Sequence, residues 1–231
     1  MKKLKWIALG IFSMFCIVAC GKEMVPKERE NYLISSMEQD FAYTKTTYYM
    51  DEAGLEKKSV LKGTYSAEPY EEHIVVEEAE NYLWDEIIYS GNGEMITAKI
   101  HTPLSDLSGW IEQKVSRVYP YGYGEELFFK LVGEEEINGV ICEVYTTEYI
   151  TDVMGGIAGD EVITATVTQT WYIDKEVERL IRVDTDLTDL NEKTFVVNEI
   201  NVNGSSLEEA EKKAEISNNF IKTEVFEIWY E

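Results

Sequence analysis

The 231-residue chain carries 44 acidic against 21 basic residues, a net charge of −23. Such a surface repels nucleic acid and anionic lipid head groups, so recognition of a polyanion through a basic face is excluded. Hydrophobic residues make up 45% and aromatic residues 12%, enough to bury a core, so the acidity is not that of a disordered polymer.

Lys2, Lys3 and Lys5 precede an apolar run from Trp6 to Val18, which small Ala19 and then Cys20 follow. Basic, apolar and small residues in that order describe an export signal. The run covers about 13 residues, short of the roughly 20 that span a bilayer as a helix. The stretch Ile17-Val18-Ala19-Cys20-Gly21 resembles the lipobox of bacterial lipoproteins. The resemblance implies that residues 1–19 are a signal peptide. It further implies that Cys20 receives a diacylglycerol thioether, with a further acyl chain such as palmitate on its new amino group. The protein would then be membrane-anchored outside the cytoplasm. A secretory signal in which Cys20 is incidental is the alternative. Two or three acyl chains anchor stably, whereas one is marginal.

The expected mature chain, Cys20 to Glu231, has 212 residues and a charge of −26, so acyl chains rather than a basic patch must do the anchoring. Residues 20–31 read as a polar, lipidated tether and residues 32–231 as a single antiparallel β-rich domain. Cys142 is then the one cysteine left, and its setting Val140-Ile141-Cys142 predicts a buried, inert thiol.

Tyr32 to Gln39 predicts a short helix. From Phe41 the period becomes two, and Phe41–Met50 is rich in Thr and Tyr. Strands are predicted at Ser59–Ser66, His73–Glu78, Trp84–Tyr89 and Met95–Thr102, the last two flanking the turn Gly91-Asn92-Gly93. Another follows at Trp110–Val118, then a helical turn around Glu125–Leu131. Asn138-Gly139 predicts a hairpin into Val140–Ile150, and Gly155–Gly159 a flexible connection.

In Val162–Ile173, Ile163, Ala165, Val167, Trp171 and Ile173 share one face, with Gln169 the exception. Thr164, Thr166, Thr168, Thr170 and Tyr172 share the other, the pattern of an antiparallel sheet with one dry side. Arg179–Leu187 and Lys193–Val202 read as further strands, Ser206-Leu207-Glu208-Glu209 as a capping box opening a helix to about Ile216, and Glu224–Tyr230 as the last strand. The expected fold is mainly β (α+β): a curled antiparallel sheet or unclosed β half-barrel with one or two helices.

The Thr-rich strand 162–173, its turn Asp174-Lys175-Glu176 and the return Arg179-Leu180-Ile181-Arg182-Val183 resemble the lipoprotein-carrier superfamily of the LolA and LppX type. That family implies an antiparallel sheet curled into an open barrel, helices on its concave side, and an apolar ligand such as an acyl chain.

Metal chemistry lacks ligands, because His73 and His101 are the only histidines. Asp184-Thr185-Asp186-Leu187-Thr188-Asp189 lacks the sixth-position glycine of a calcium loop, has Phe195 where its last glutamate belongs, and alternates like a strand. No nucleophile elbow or phosphate loop occurs, no cofactor is implied, and catalysis is not expected. A carboxylate pair for glycoside hydrolysis stays an open alternative, since separations in space are not legible here. Trp84, Trp110, Tyr119, Tyr121, Tyr123 and Trp171 either fill a core or line an apolar or sugar-binding surface. The expected ligand-binding residues are Trp84, Trp110, Ile163, Val167 and Trp171. The competing reading is an acidic surface interaction protein with a filled core and no small-molecule ligand.

Overall fold

Asn138 and Gly139 both have positive φ, 52° and 85°, the geometry that lets a two-residue turn join twisted strands. They link β8 (Phe129–Ile137) to β9 (Val140–Ala158), and Gly91-Asn92-Gly93 likewise links β5 (Glu86–Ser90) to β6 (Met95–Thr102). The computed structural model describes residues 23–24, 38–79, 83–103, 109–117, 129–158 and 161–230. The remaining strands are β1 (Glu23–Met24), β2 (Phe41–Met50), β3 (Glu56–Ser66), β4 (Glu71–Glu78), β7 (Gly109–Ser116), β10 (Glu161–Asp174), β11 (Leu180–Asp186) and β12 (Lys222–Tyr230). The helices are α1 (Thr188–Asn201) and α2 (Leu207–Ser217).

The described strands form one antiparallel sheet of 12 strands in the order β1-β8-β9-β10-β11-β12-β2-β3-β4-β5-β6-β7, which does not close on itself. β8 and β6 stand nine places apart in that order. At about 4.8 Å per strand, a flat sheet would separate them by about 40 Å. Yet Phe129 of β8 and Ile96 of β6 belong to one buried cluster with Phe41, Tyr43, Tyr65, Tyr145, Trp171 and Phe226. The sheet is therefore strongly curled, with these side chains on its inner face, and the expected half-barrel is the observed architecture.

The alternation in β10 is as expected. Ala165, Val167, Trp171 and Ile173 are all buried, whereas Thr164 is exposed and Thr166, Thr168 and Thr170 are half-buried. Tyr172, on the outer face, is buried too, because it joins Cys142, Val144, Ile137 and Ile181 in a small second core. Cys142 is fully buried there, and burial pushes its thiol up to about 11. At neutral pH it holds its proton, and the thiolate is the reactive form. A maleimide should therefore fail to label Cys142 in the native protein but label it after denaturation; rapid native labelling would place it elsewhere.

Three expectations are corrected. Of the stretch Lys193–Val202, read as a strand, residues 193–201 belong to helix α1 and Val202 caps its end. Its start at Thr188 brings Leu190 and Val197, seven apart, and Val196 and Ile200, four apart, into helical spacing. Val197 meets Val153 and Ala165 of the sheet, while Val196 meets Ala210 and Ala214 of α2. Burial on two sides overrides the strand propensity of valine. Gly155 and Gly156 are not a free connection but lie within β9. Leu131 lies in β8 rather than in a helical turn, while residues 125–128 lie outside the described residues.

Ser206 starts α2 as expected: its Oγ accepts from Glu209 N–H at 3.3 Å, and the Glu209 carboxylate accepts from Ser206 N–H at 3.0 Å. The export segment, Cys20, most of the tether and most of the expected helix at 32–39 lie outside the described residues. Within the tether, Glu23 and Met24 pair with Lys130 and Phe129.

Candidate binding surface on the inner face of the sheet

The register places Trp171 of β10 opposite Tyr145 of β9 and Val183 of β11. All three are buried, and the indole packs on Phe129 with ring centroids 4.8 Å apart. Its Nε1 is buried without a hydrogen-bond partner among the described residues. Val167 lies on the same face of β10, 1% exposed. Ile163, half-buried, packs against the clusters beneath α1. The structure thus brings Ile163, Val167 and Trp171 onto one inner face, where α1 covers β9 and β10.

Trp110 stands apart. Ile111 and Val115 of β7 pair with the inner-face residues Ile100 and Ile96, so Trp110 points from the outer face, 51% exposed. Its ring lies 5.2 Å from that of His101. Trp84 is half-buried ahead of β5 and outside the buried clusters. Tyr119, Tyr121 and Tyr123 lie outside the described residues.

Sequence reasoning missed a buried carboxyl on the inner face, the one such group there among the described residues. Glu72 on β4 is 3% exposed. It accepts hydrogen bonds from Tyr43 Oη at 2.6 Å and Tyr70 Oη at 3.3 Å. Arg117 stacks on the Tyr70 ring at 4.1 Å and donates to Tyr65 Oη at 2.8 Å. Tyr43 reaches Glu72 by lying across Gly63, its cross-strand partner on β3. That glycine was the available signal, because a glycine inside a strand marks a close approach.

Burial pushes the Glu72 pKa up; the hydrogen bonds from Tyr43 and Tyr70 and the nearby Arg117 act in the opposite sense, and burial wins. A carboxyl raised in the folded state contributes its stability below its unfolded pKa and loses it as pH rises toward the folded value. Glu72→Gln removes that loss. Stability measured by denaturation should therefore move in favour of Glu72→Gln, relative to wild type, as pH rises from about 4 to neutrality. A difference that is flat across that range would show that Glu72 does not titrate there.

The two histidines each face a carboxylate: His73 Nε2 lies 2.7 Å from Glu86 and His101 Nδ1 2.6 Å from Asp85. Among the described residues no group of three or more His, Cys, Asp or Glu side chains is placed to hold a metal. The Asp184–Asp189 stretch is divided between β11 and α1, and the Asp189 carboxylate accepts from Thr166 N–H at 2.6 Å. The acceptor caps a strand amide that β11 leaves unpaired.

No protein-family model and no curated protein matches this chain. Solved structures align with most of its length. Lipoprotein LppX of Mycobacterium tuberculosis aligns over 88% of this chain and 92% of its own, with 13% identity and a TM-score of 0.41. A putative outer membrane lipoprotein-sorting protein domain from Vibrio parahaemolyticus aligns over 89% and 91%, with 11% identity and a TM-score of 0.32. A DUF1329 family protein from Desulfovibrio piger aligns over 88% and 89%, with 8% identity and a TM-score of 0.32.

Proposed function

We propose that this protein is a lipid-anchored extracytoplasmic protein that holds an apolar ligand against the inner face of its curled sheet. The observation that carries the ligand reading is the make-up of that face. It is apolar and aromatic, it curls without closing, and at its margin Ile74, Tyr89 and Val115 remain only partly buried while Ile111 is 49% exposed. A concave, mostly apolar surface with a few convergent polar groups suits a small apolar ligand. Ile163, Val167 and Trp171 form the floor in this reading, and the Tyr43–Glu72–Tyr70 group is its polar end. Anchoring rests on the order of residues before Cys20.

One observation favours the competing reading of a filled core acting through an acidic exterior. Phe129, Tyr145, Val167 and Trp171 are each no more than 2% exposed. Native mass spectrometry of the purified protein separates the two. A co-purified apolar molecule supports the ligand reading, and its absence together with no uptake of a fluorescent fatty acid sinks it. Anchoring is tested separately. Cys20→Ser should leave the membrane fraction or remain unprocessed; fractionation and migration like wild type would remove the lipobox reading.

A further inference from the structure

β7 ends the sheet, and no described strand pairs with its outer side. Its ladder to β6 fixes which backbone groups remain. Arg117 N–H donates to Glu94 C=O, and alternate residues of a strand point the same way, so the backbone groups of Gly109, Ile111, Gln113 and Val115 face β6. Those of Trp110, Glu112, Lys114 and Ser116 therefore face outward. Edges of this kind recruit another strand unless charge, proline or a bulge prevents it. β7 contains no proline, pairs with β6 without a register shift, and carries one acid and one base. In a chain of net charge −23 it is a locally neutral edge.

The sequence of the edge is complementary to itself. An antiparallel pair of β7 strands needs outward-facing residues opposite one another. Of the registers that satisfy this, the one centred on Gln113 sets Glu112 opposite Lys114 of the second strand, twice by symmetry, with Ile111 opposite Val115. Moving the centre to Glu112 or to Lys114 sets like charges opposite each other, which is destabilising. In the Gln113 register Glu112 lies between Lys99, its partner on β6, and the second copy's lysine, so charges alternate across the join. Glu112, Gln113 and Lys114 are exposed, and so are half of Trp110 and Ile111.

We propose that two copies of this chain join edge to edge through β7, in antiparallel register centred on Gln113, and continue one sheet across a two-fold axis. The proposal is independent of any ligand on the inner face and of the state of Cys20.

The test uses the full chain in density-matched detergent at physiological salt, where repulsion between acidic bodies is screened within about 8 Å. Sedimentation equilibrium should show a monomer–dimer equilibrium at micromolar concentration. Glu112→Lys alone and Lys114→Glu alone should each weaken it by about tenfold or more. The double swap Glu112→Lys with Lys114→Glu should restore it. Gln113→Cys should form a disulfide dimer above the wild-type background under mild oxidation, because residue 113 faces its own copy. Glu112→Cys should not, since its own copy lies about 9 Å away between Cα atoms, beyond the roughly 7 Å limit of a disulfide. A monomer at all concentrations, single swaps without effect, a double swap that fails to restore, or equal cross-linking at residues 112 and 113 would each overturn the proposal.

Discussion

Trp171→Ala should cost about 3–5 kcal/mol of folding stability, the range for emptying a large aromatic site that cannot collapse. The residue is 2% exposed and set between Tyr145 and Val183 on neighbouring strands, with Phe129 against its ring. These neighbours belong to three separate strands, so no one of them can move in without disturbing a ladder. Thr168→Ala, on the half-buried outer face of the same strand, should cost less than about 1 kcal/mol. Urea denaturation of both variants, with and without a fatty-acid probe, gives the comparison. Equal losses would mean that the face assignment in β10 is wrong. A small loss at Trp171 accompanied by weakened probe binding would turn the site from solid core into cavity wall.

Gly63→Ala should cost about 3 kcal/mol, although it adds one methyl group. The added Cβ would come within 2.1 Å of Tyr43 Cζ, a distance no packed pair adopts. Tyr43 is 4% exposed and its ring also rests on Phe226, with centroids 4.8 Å apart, so it has no free space to swing into. Overpacking of this kind costs roughly 1–3 kcal/mol. Displacing the ring also strips Glu72 of its shortest hydrogen bond, and a buried polar group left unpaired costs about 1–3 kcal/mol more. The two costs share one cause and do not add fully. In the background of Tyr43→Ala the penalty of Gly63→Ala should largely vanish, which a double-mutant cycle measures directly. A full penalty that persists without Tyr43 would refute the steric account.

The elements legible in the sequence are those whose physics is local. Positive φ at Asn138 and Gly139, the Ser206–Glu209 capping pair and the alternation in β10 each need only a few neighbouring residues, and each is present in the structure. The burial of Cys142 follows from its apolar neighbours in the same strand. Helix α1 was not legible, because its valines favour strands and only the sheet and α2 on either side of it make it a helix. The Tyr43–Glu72 contact links residues 29 apart through an intervening glycine, and a period of two reports the face of a strand but not its neighbour. For the same reason Trp84, Trp110 and Trp171 looked like one aromatic group. Facing direction separates Trp110 from Trp171, and Trp84 lies outside the strand core.

The position of β12 carries a consequence for assembly. It follows every other described strand in the chain, yet it stands in the middle of the sheet between β11 and β2. The strands β2 to β7 form one meander and β8 to β11 another, and among the described strands β12 alone joins them, pairing with β11 from Arg182 to Asp186 and with β2 from Phe41 to Tyr49. Until it arrives, each meander exposes an unpaired inner edge, and the shared aromatic core has no second wall. A chain emerging in order, from a ribosome or through a membrane, must therefore wait for this strand before the fold becomes cooperative. Long-range closure of that kind is slow and leaves strand edges open to wrong partners meanwhile.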